Sequence, residues 1–105
     1  MPLTRNFKDT IKQRAETDPE FRLALLQEAL ESFLAGDTEE GKIILRDYIN
    51  ATIGFGELSS ITNKNPKSLM RMLSPSGNPR AENLFEIIGH LQKQEGVSFE
   101  IRTSQ

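Results

Sequence analysis

The tightest constraint on this chain is a pair of punctuation marks, Asn63 and Asn65-Pro66, set inside residues 55–73, a stretch otherwise compatible with helix. A proline inside a helix removes one backbone hydrogen bond and clashes with the preceding turn, so no helix can run through Pro66. A helix can begin there, because the first helical position has no use for an N–H, and Asn65 before it is a good N-cap. Asn63 is one of the few non-glycine residues that tolerate a positive φ. The stretch therefore splits into two short helices. Residues 55–62 carry Leu58 and Ile61. Residues 66–73 carry Leu69, Met72 and Leu73 inward and leave Lys67, Ser68, Met70 and Arg71 largely outward.

Longer helices are written on either side. Asp18 is an N-cap with Pro19 in the first helical position. Phe21, Leu25, Leu26, Ala29, Leu30, Phe33 and Leu34 then recur on one face at a period near 3.6, up to Gly36. Asp37-Thr38-Glu39-Glu40 has the form of a capping box, with Glu40 reaching back to the cap. Ile44, Leu45, Tyr48 and Ile49 follow as a buried stripe, and Gly54 is the expected terminator. A weaker pattern over residues 7–15 suggests another short helix. After the turn-rich Ser74-Pro75-Ser76-Gly77-Asn78-Pro79, a helix starts at Arg80 or Ala81 and runs to about Gln94, with Leu84, Ile87, Ile88 and Leu91 on its apolar face and Gly96 at its end. The fold class this implies is all-α. At the far end Val97, Phe99 and Ile101 alternate with Ser98, Glu100 and Arg102, the period of a short β-strand. Such a lone strand is best satisfied by the same strand of a second copy, giving a homodimer; a frayed segment is the other reading.

Charge narrows the partners. The net charge of −2 is unpromising for a nucleic-acid binder, but its distribution is uneven. Residues 58–81 hold four basic side chains (Lys64, Lys67, Arg71, Arg80) and no acidic one. Of the thirteen basic residues this leaves nine against fifteen acidic ones elsewhere, a net of −6. A +4 segment on an acidic body is an electrostatic footprint with a direction. Two short helices joined by a turn of three or four residues and framed by packing helices are the helix-turn-helix arrangement, whose second helix enters the DNA major groove. Lys67 and Arg71, four residues apart, share a face and are the expected readers of base edges. Lys64, Asn65, Asn78 and Arg80 are expected on the phosphate backbone, Ser68 on either, and Met70 against a thymine methyl or packed at the helix margin. An ordinary pair of short helices in a bundle is the bland alternative.

Other classes are disfavoured. The chain has no cysteine, hence no disulfide framework or thiolate chemistry. Its lone histidine, His90, lies beside the apolar face of the last helix with no second histidine to complete a metal site or a base–nucleophile pair. Glu39-Glu40 is explained by the start of a helix, and Ser74-Pro75-Ser76-Gly77 has no strand before it and no triad partner. We therefore expect neither an enzyme, nor a cofactor, nor a bound metal. Without a signal-peptide core or an apolar run near the ~20 residues of a membrane span, a cytoplasmic protein without membrane contact is expected.

The stretch LSSITNKNPKSL is similar to the Xre/Cro-type helix-turn-helix, with small Ser59 after the first leucine, Asn63 as turn residue and Leu69 in the second helix. More broadly, LRDYINATIGFGELSSITNKNPKSLMRMLSPSGNPRAENLFEIIGHLQ resembles the bacterial addiction-module antidote proteins, a helix-turn-helix antitoxin family, and DPEFRLALLQEALESFLAGDTEEGKIIL fits the same group. The segment PKSLMRMLSPSGNP is its most specific part. The resemblance implies a lambda-repressor-like helix-turn-helix bundle. Residues 1–36 would be an N-terminal helical extension, 37–95 the helix-turn-helix domain and 96–105 a strand or tail, all in one structural unit. It also implies an antitoxin of a type II toxin–antitoxin module, which represses its own promoter on double-stranded DNA and neutralises a small toxin, often an RNA-cutting one. The acidic N-terminal helices are then candidates for a basic toxin. Three residues depart from the Xre pattern: Asn63 replaces glycine, Thr62 stands at a usually apolar position, and Lys64 stands where a buried aliphatic is common. A stand-alone repressor and a protein-interaction module with a retired helix-turn-helix are the competing functions.

Overall fold

The computed structural model describes residues 5–105, with side chains from Phe7 onward. Among these residues there are six α-helices and no strand: α1 Arg5–Thr17, α2 Pro19–Leu34, α3 Thr38–Ala51, α4 Gly54–Thr62, α5 Pro66–Met72 and α6 Ala81–Glu95. The chain is all-helical. α1 is longer at both ends than the weak pattern over 7–15 suggested.

The helix ends follow from local chemistry. Asp18 accepts a hydrogen bond from the Phe21 amide at 3.1 Å, and Asp37 from the Glu40 amide at 3.2 Å. The capping box at Asp37 is only half formed. The Asp37 amide donates to the Ser32 carbonyl at 2.9 Å, so the previous helix already satisfies the group that Glu40 was expected to reach. α3 ends at Ala51, earlier than Gly54, because Thr52 leaves helical geometry with a φ of −118° and a ψ of −97°, while its amide and hydroxyl still bond the Tyr48 carbonyl at 3.0 and 2.7 Å. Gly54 instead opens α4 with a φ of +79°.

α2 and α3 share the largest interface, and residues from α2 through α6 contribute to one core. Leu26, Leu45, Tyr48, Ile49, Leu58, Leu69, Leu73, Ile87 and Leu91 are essentially removed from water. Gly41 lets α2 and α3 close: a Cβ there would lie 2.8 Å from the Phe33 ring. α1 lies against α2 and α3. Its buried Ala15 offers its carbonyl to Arg22 Nη1 at 2.7 Å, and Arg14 stacks on the Phe21 ring 4.5 Å from its centroid. Partial burial raises the Asp47 carboxyl above its ordinary value, opposed by the nearby charges of Arg46 and Lys8.

Residues 97–105 form no strand in the single chain. The Val97 amide closes onto the Gln92 carbonyl at 3.0 Å, the Phe99 amide donates to Gln92 Oε1 at 2.8 Å, and the Phe99 ring packs on the core. A ladder needs a second strand, and none exists among the described residues; the helix side chain Gln92 takes the place of one.

Candidate nucleic-acid interface

The α4–α5 unit is built as its punctuation requires. α4 ends at Asn63, whose φ of +56° and ψ of +36° put it in the left-handed region, and its amide bonds the Ser59 carbonyl. Ser59 then ties the turn: its carbonyl also accepts from the Lys64 amide at 3.2 Å, and its hydroxyl donates to the Lys64 carbonyl. Asn65 caps α5 by accepting from the Lys67 amide at 2.8 Å, with Pro66 in the first position. Leu69 and Leu73 are fully buried and Met72 packs beside them, which turns Lys67, Ser68, Met70 and Arg71 to solvent. The last turn ends at Leu73, after Met72.

Each departure from the Xre pattern has a physical account. Asparagine tolerates the left-handed turn that glycine would otherwise supply. The Thr62 hydroxyl is buried but satisfied, donating to the Leu58 carbonyl at 2.8 Å. Lys64 lays its stem along the protein and pairs through Nζ with Glu86 of α6 at 3.2 Å.

The placement of α5 depends on groups the sequence reading did not single out. Lys42 on α3 is only 3% exposed, and its ammonium donates to the Gly77 carbonyl at 2.7 Å and the Pro75 carbonyl at 3.4 Å, while pairing with Glu39 at 3.0 Å. One turn further along α3, Arg46 donates to the Leu73 carbonyl at 3.0 Å. Two cations therefore sit where the carbonyls at the end of α5 and in the following loop lack partners, which is where positive charge stabilises a helix end. Gly77 packs directly beneath: a Cβ on it would lie 2.0 Å from the Arg71 carbonyl oxygen. Only glycine fits. A basic residue five positions after the acidic capping residue Asp37 reads in sequence as helix surface, so Lys42 gave no signal of its own.

Between α5, the 74–79 loop and the start of α6 lies an open groove of about 610 Å³. Of the sequence-expected contact residues, Lys64, Asn65, Ser68, Arg71 and Asn78 line it. Lys67 and Arg80 do not; both are exposed, Lys67 on the outer face of α5 and Arg80 as the residue preceding α6. Asn83, in the first turn of α6, also lines the groove and was missed, because on a periodic helix it looks like an ordinary polar surface position. Met70 is exposed beside Arg71, at the helix margin.

A second polar cluster lies apart from this groove. Arg22 Nε spans both oxygens of Glu95 at 3.2 Å, and the Tyr48 hydroxyl donates to the same carboxylate. Burial, then the hydrogen bond and charge of Glu95, push the Tyr48 phenol well above its usual range. This cluster joins α2, α3 and α6 and borders a hollow of about 300 Å³. Among the described residues, no His, Asp and Glu side chains gather in a way that could hold a metal ion, and no helix is long and apolar enough to cross a membrane. No protein-family model, curated protein or solved structure matches the chain.

Proposed function

We propose that the chain is a sequence-specific binder of double-stranded DNA, a helix-turn-helix protein of the lambda-repressor-like class with α5 as its recognition helix. The observation that carries this reading is the groove beside α5, which gathers Lys64, Asn65, Ser68, Arg71 and Asn78 with no acidic side chain lining it, on a chain that is acidic elsewhere. Arg71 suits a bidentate contact to guanine and Lys67 a guanine or phosphate contact. Asn65, Asn78 and Asn83 suit the sugar-phosphate backbone, which polar side chains contact most often. Arg80 extends the basic surface past the groove. Lys64 reaches a phosphate only by leaving Glu86.

The resemblance to addiction-module antidote proteins supports the finer proposal of an antitoxin that represses its own promoter and neutralises a small toxin. A product of the neighbouring open reading frame that co-purifies with this chain supports that proposal; a solitary gene favours a stand-alone repressor. The DNA reading is tested by fluorescence anisotropy on the chain's own upstream DNA and on scrambled duplex. Arg71→Ala is expected to lose about 1–3 kcal/mol of specific binding and to relax sequence preference, with an unchanged melting temperature. Lys67→Ala should weaken binding and flatten its salt dependence. If both variants bind like the parent, the helix-turn-helix is a retired one and the chain is an interaction module.

A further inference from the structure

A groove of about 630 Å³ runs between α2, α6 and residues 99–102, on apolar walls that include Leu30, Leu34, Phe85 and Ile88. Several of its side chains are bare: Leu34 and Phe85 are each 68% exposed and Ile101 is 80% exposed. Apolar side chains gathered this way on a small protein mark an interaction surface. The segment that borders it is equally unfinished. Beyond Phe99, whose amide is held by Gln92, none of the backbone amides has a hydrogen-bond partner among the described residues. Neither Glu100 nor Arg102 has an ion-pair partner there.

We infer that a second copy of this chain covers this groove, its residues 98–104 pairing antiparallel with the same residues here about a two-fold axis at Ile101. Two independent features select that register. In an extended segment successive amides point to opposite edges. Val97 and Phe99 direct theirs back onto Gln92, so residues 98, 100 and 102 offer theirs to the outer edge. An antiparallel ladder centred on Ile101 uses those residues as its hydrogen-bonded pairs. The same register sets Glu100 of each copy opposite Arg102 of the other, twice over, and opposite charges facing one another across strands stabilise the pair. Shifting the axis to residue 100 would bring Glu100 against Glu100, which repels. Ile101 meets Ile101 in the close, non-hydrogen-bonded position, on the face it shares with Phe99. The segment is thus complementary to itself, and an edge complementary to itself is what a two-fold interface requires.

Sedimentation velocity of the free protein, without DNA, across a concentration series tests this independently of the proposed function. The parent should associate to a dimer. Ile101→Asp should abolish the dimer. E100R alone and R102E alone should each weaken it roughly tenfold, by setting two like-charged pairs face to face. The double variant E100R/R102E should restore the parent affinity, because the pairs re-form with their signs exchanged. All these side chains are exposed, so circular dichroism should show unchanged helix content. A chain that stays monomeric throughout overturns the inference and assigns the groove to another protein. A dimer indifferent to Ile101→Asp places the contact elsewhere, and single reversals that the double variant fails to rescue reject the register.

Discussion

Arg22, Lys42 and Arg46 on α2 and α3 face one kind of environment, and Lys67 and Arg71 on α5 another. The first three are turned onto fixed acceptors: Glu95 and the Ala15 carbonyl for Arg22, the Gly77 and Pro75 carbonyls for Lys42, and the Leu73 carbonyl for Arg46. Their hydrogen bonds hold helices and the loop after α5 to one another. The α5 pair faces water, with no protein acceptor among the described residues. Residue type is nearly the same in the two sets. What differs is whether the neighbouring backbone has carbonyls left over, and that is decided by tertiary packing. Cations with no internal work are the ones available to a phosphate or a guanine.

The comparison is most severely strained by removing the carboxylate at the centre of the structural set. Glu95→Ala leaves the Arg22 guanidinium and the Tyr48 hydroxyl without their shared acceptor. The Glu95 side chain is 8% exposed and that of Arg22 25%, so water recovers part of the loss. The expected cost is about 2–3 kcal/mol, below that of breaking a fully buried pair. It should be read as a lower urea midpoint with an unchanged m-value. A cost no larger than that of a surface ion pair would show that these groups are not committed to structure, and the contrast with α5 would collapse.

Next in size is Gly77→Ala. The added Cβ meets backbone rather than a movable side-chain end, so the loop must shift away from Arg71. Overpacking of this kind costs about 1–3 kcal/mol. The shift would also pull the Gly77 and Pro75 carbonyls from Lys42. Stability and DNA binding should therefore fall together in this variant, whereas Arg71→Ala should lower binding alone. Retained DNA affinity in a destabilised Gly77→Ala chain would mean that the loop does not position α5.

The local code was readable where a residue's own backbone chemistry decides the outcome. Asp18, Asn63, Asn65-Pro66 and Gly96 act within a few residues of themselves, and the helices begin and end at or near them. The core stripes were readable for the same reason, since the period of Leu45, Tyr48 and Ile49 is a property of one helix. What stayed hidden is whatever joins distant segments: Lys42 to Gly77, Arg22 to Glu95, Asn83 to the groove. The alternation Val97, Phe99, Ile101 records a face but not a partner, so it could not say that Gln92 takes the inner edge.

Alkaline titration separates the structural cluster from the rest of the surface. The folded state raises the Tyr48 pKa above its ordinary value of 10.0, so the folded chain holds the phenolic proton more firmly than the unfolded one. Stability from this source is complete below that ordinary value and is lost progressively as pH rises from it toward the raised value of the folded state. Urea midpoints should fall on going above pH ~10, and Tyr48→Phe should flatten that fall. An equally steep fall in the phenylalanine variant would assign it to other groups.

The smallest expected effect falls where the two regions meet, at Lys64. This lysine belongs to the groove but is held like a structural cation, 3.2 Å from Glu86, with side-chain exposures of 25% and 39%. An ion pair this open to solvent contributes between about 0 and 1 kcal/mol, so Glu86→Gln should barely move the melting temperature. Its effect on DNA binding should be clearer. The substitution removes a negative charge from the edge of the proposed interface and frees Lys64 for a phosphate. Affinity should rise a few-fold at low salt, and the slope of log K against log salt should steepen by up to about one unit. An unchanged slope would show that Lys64 stays out of the interface even when released. It would then belong with Lys42 and Arg46, and the working cations of the groove side would reduce to Arg71, with Lys67 and Arg80 outside it.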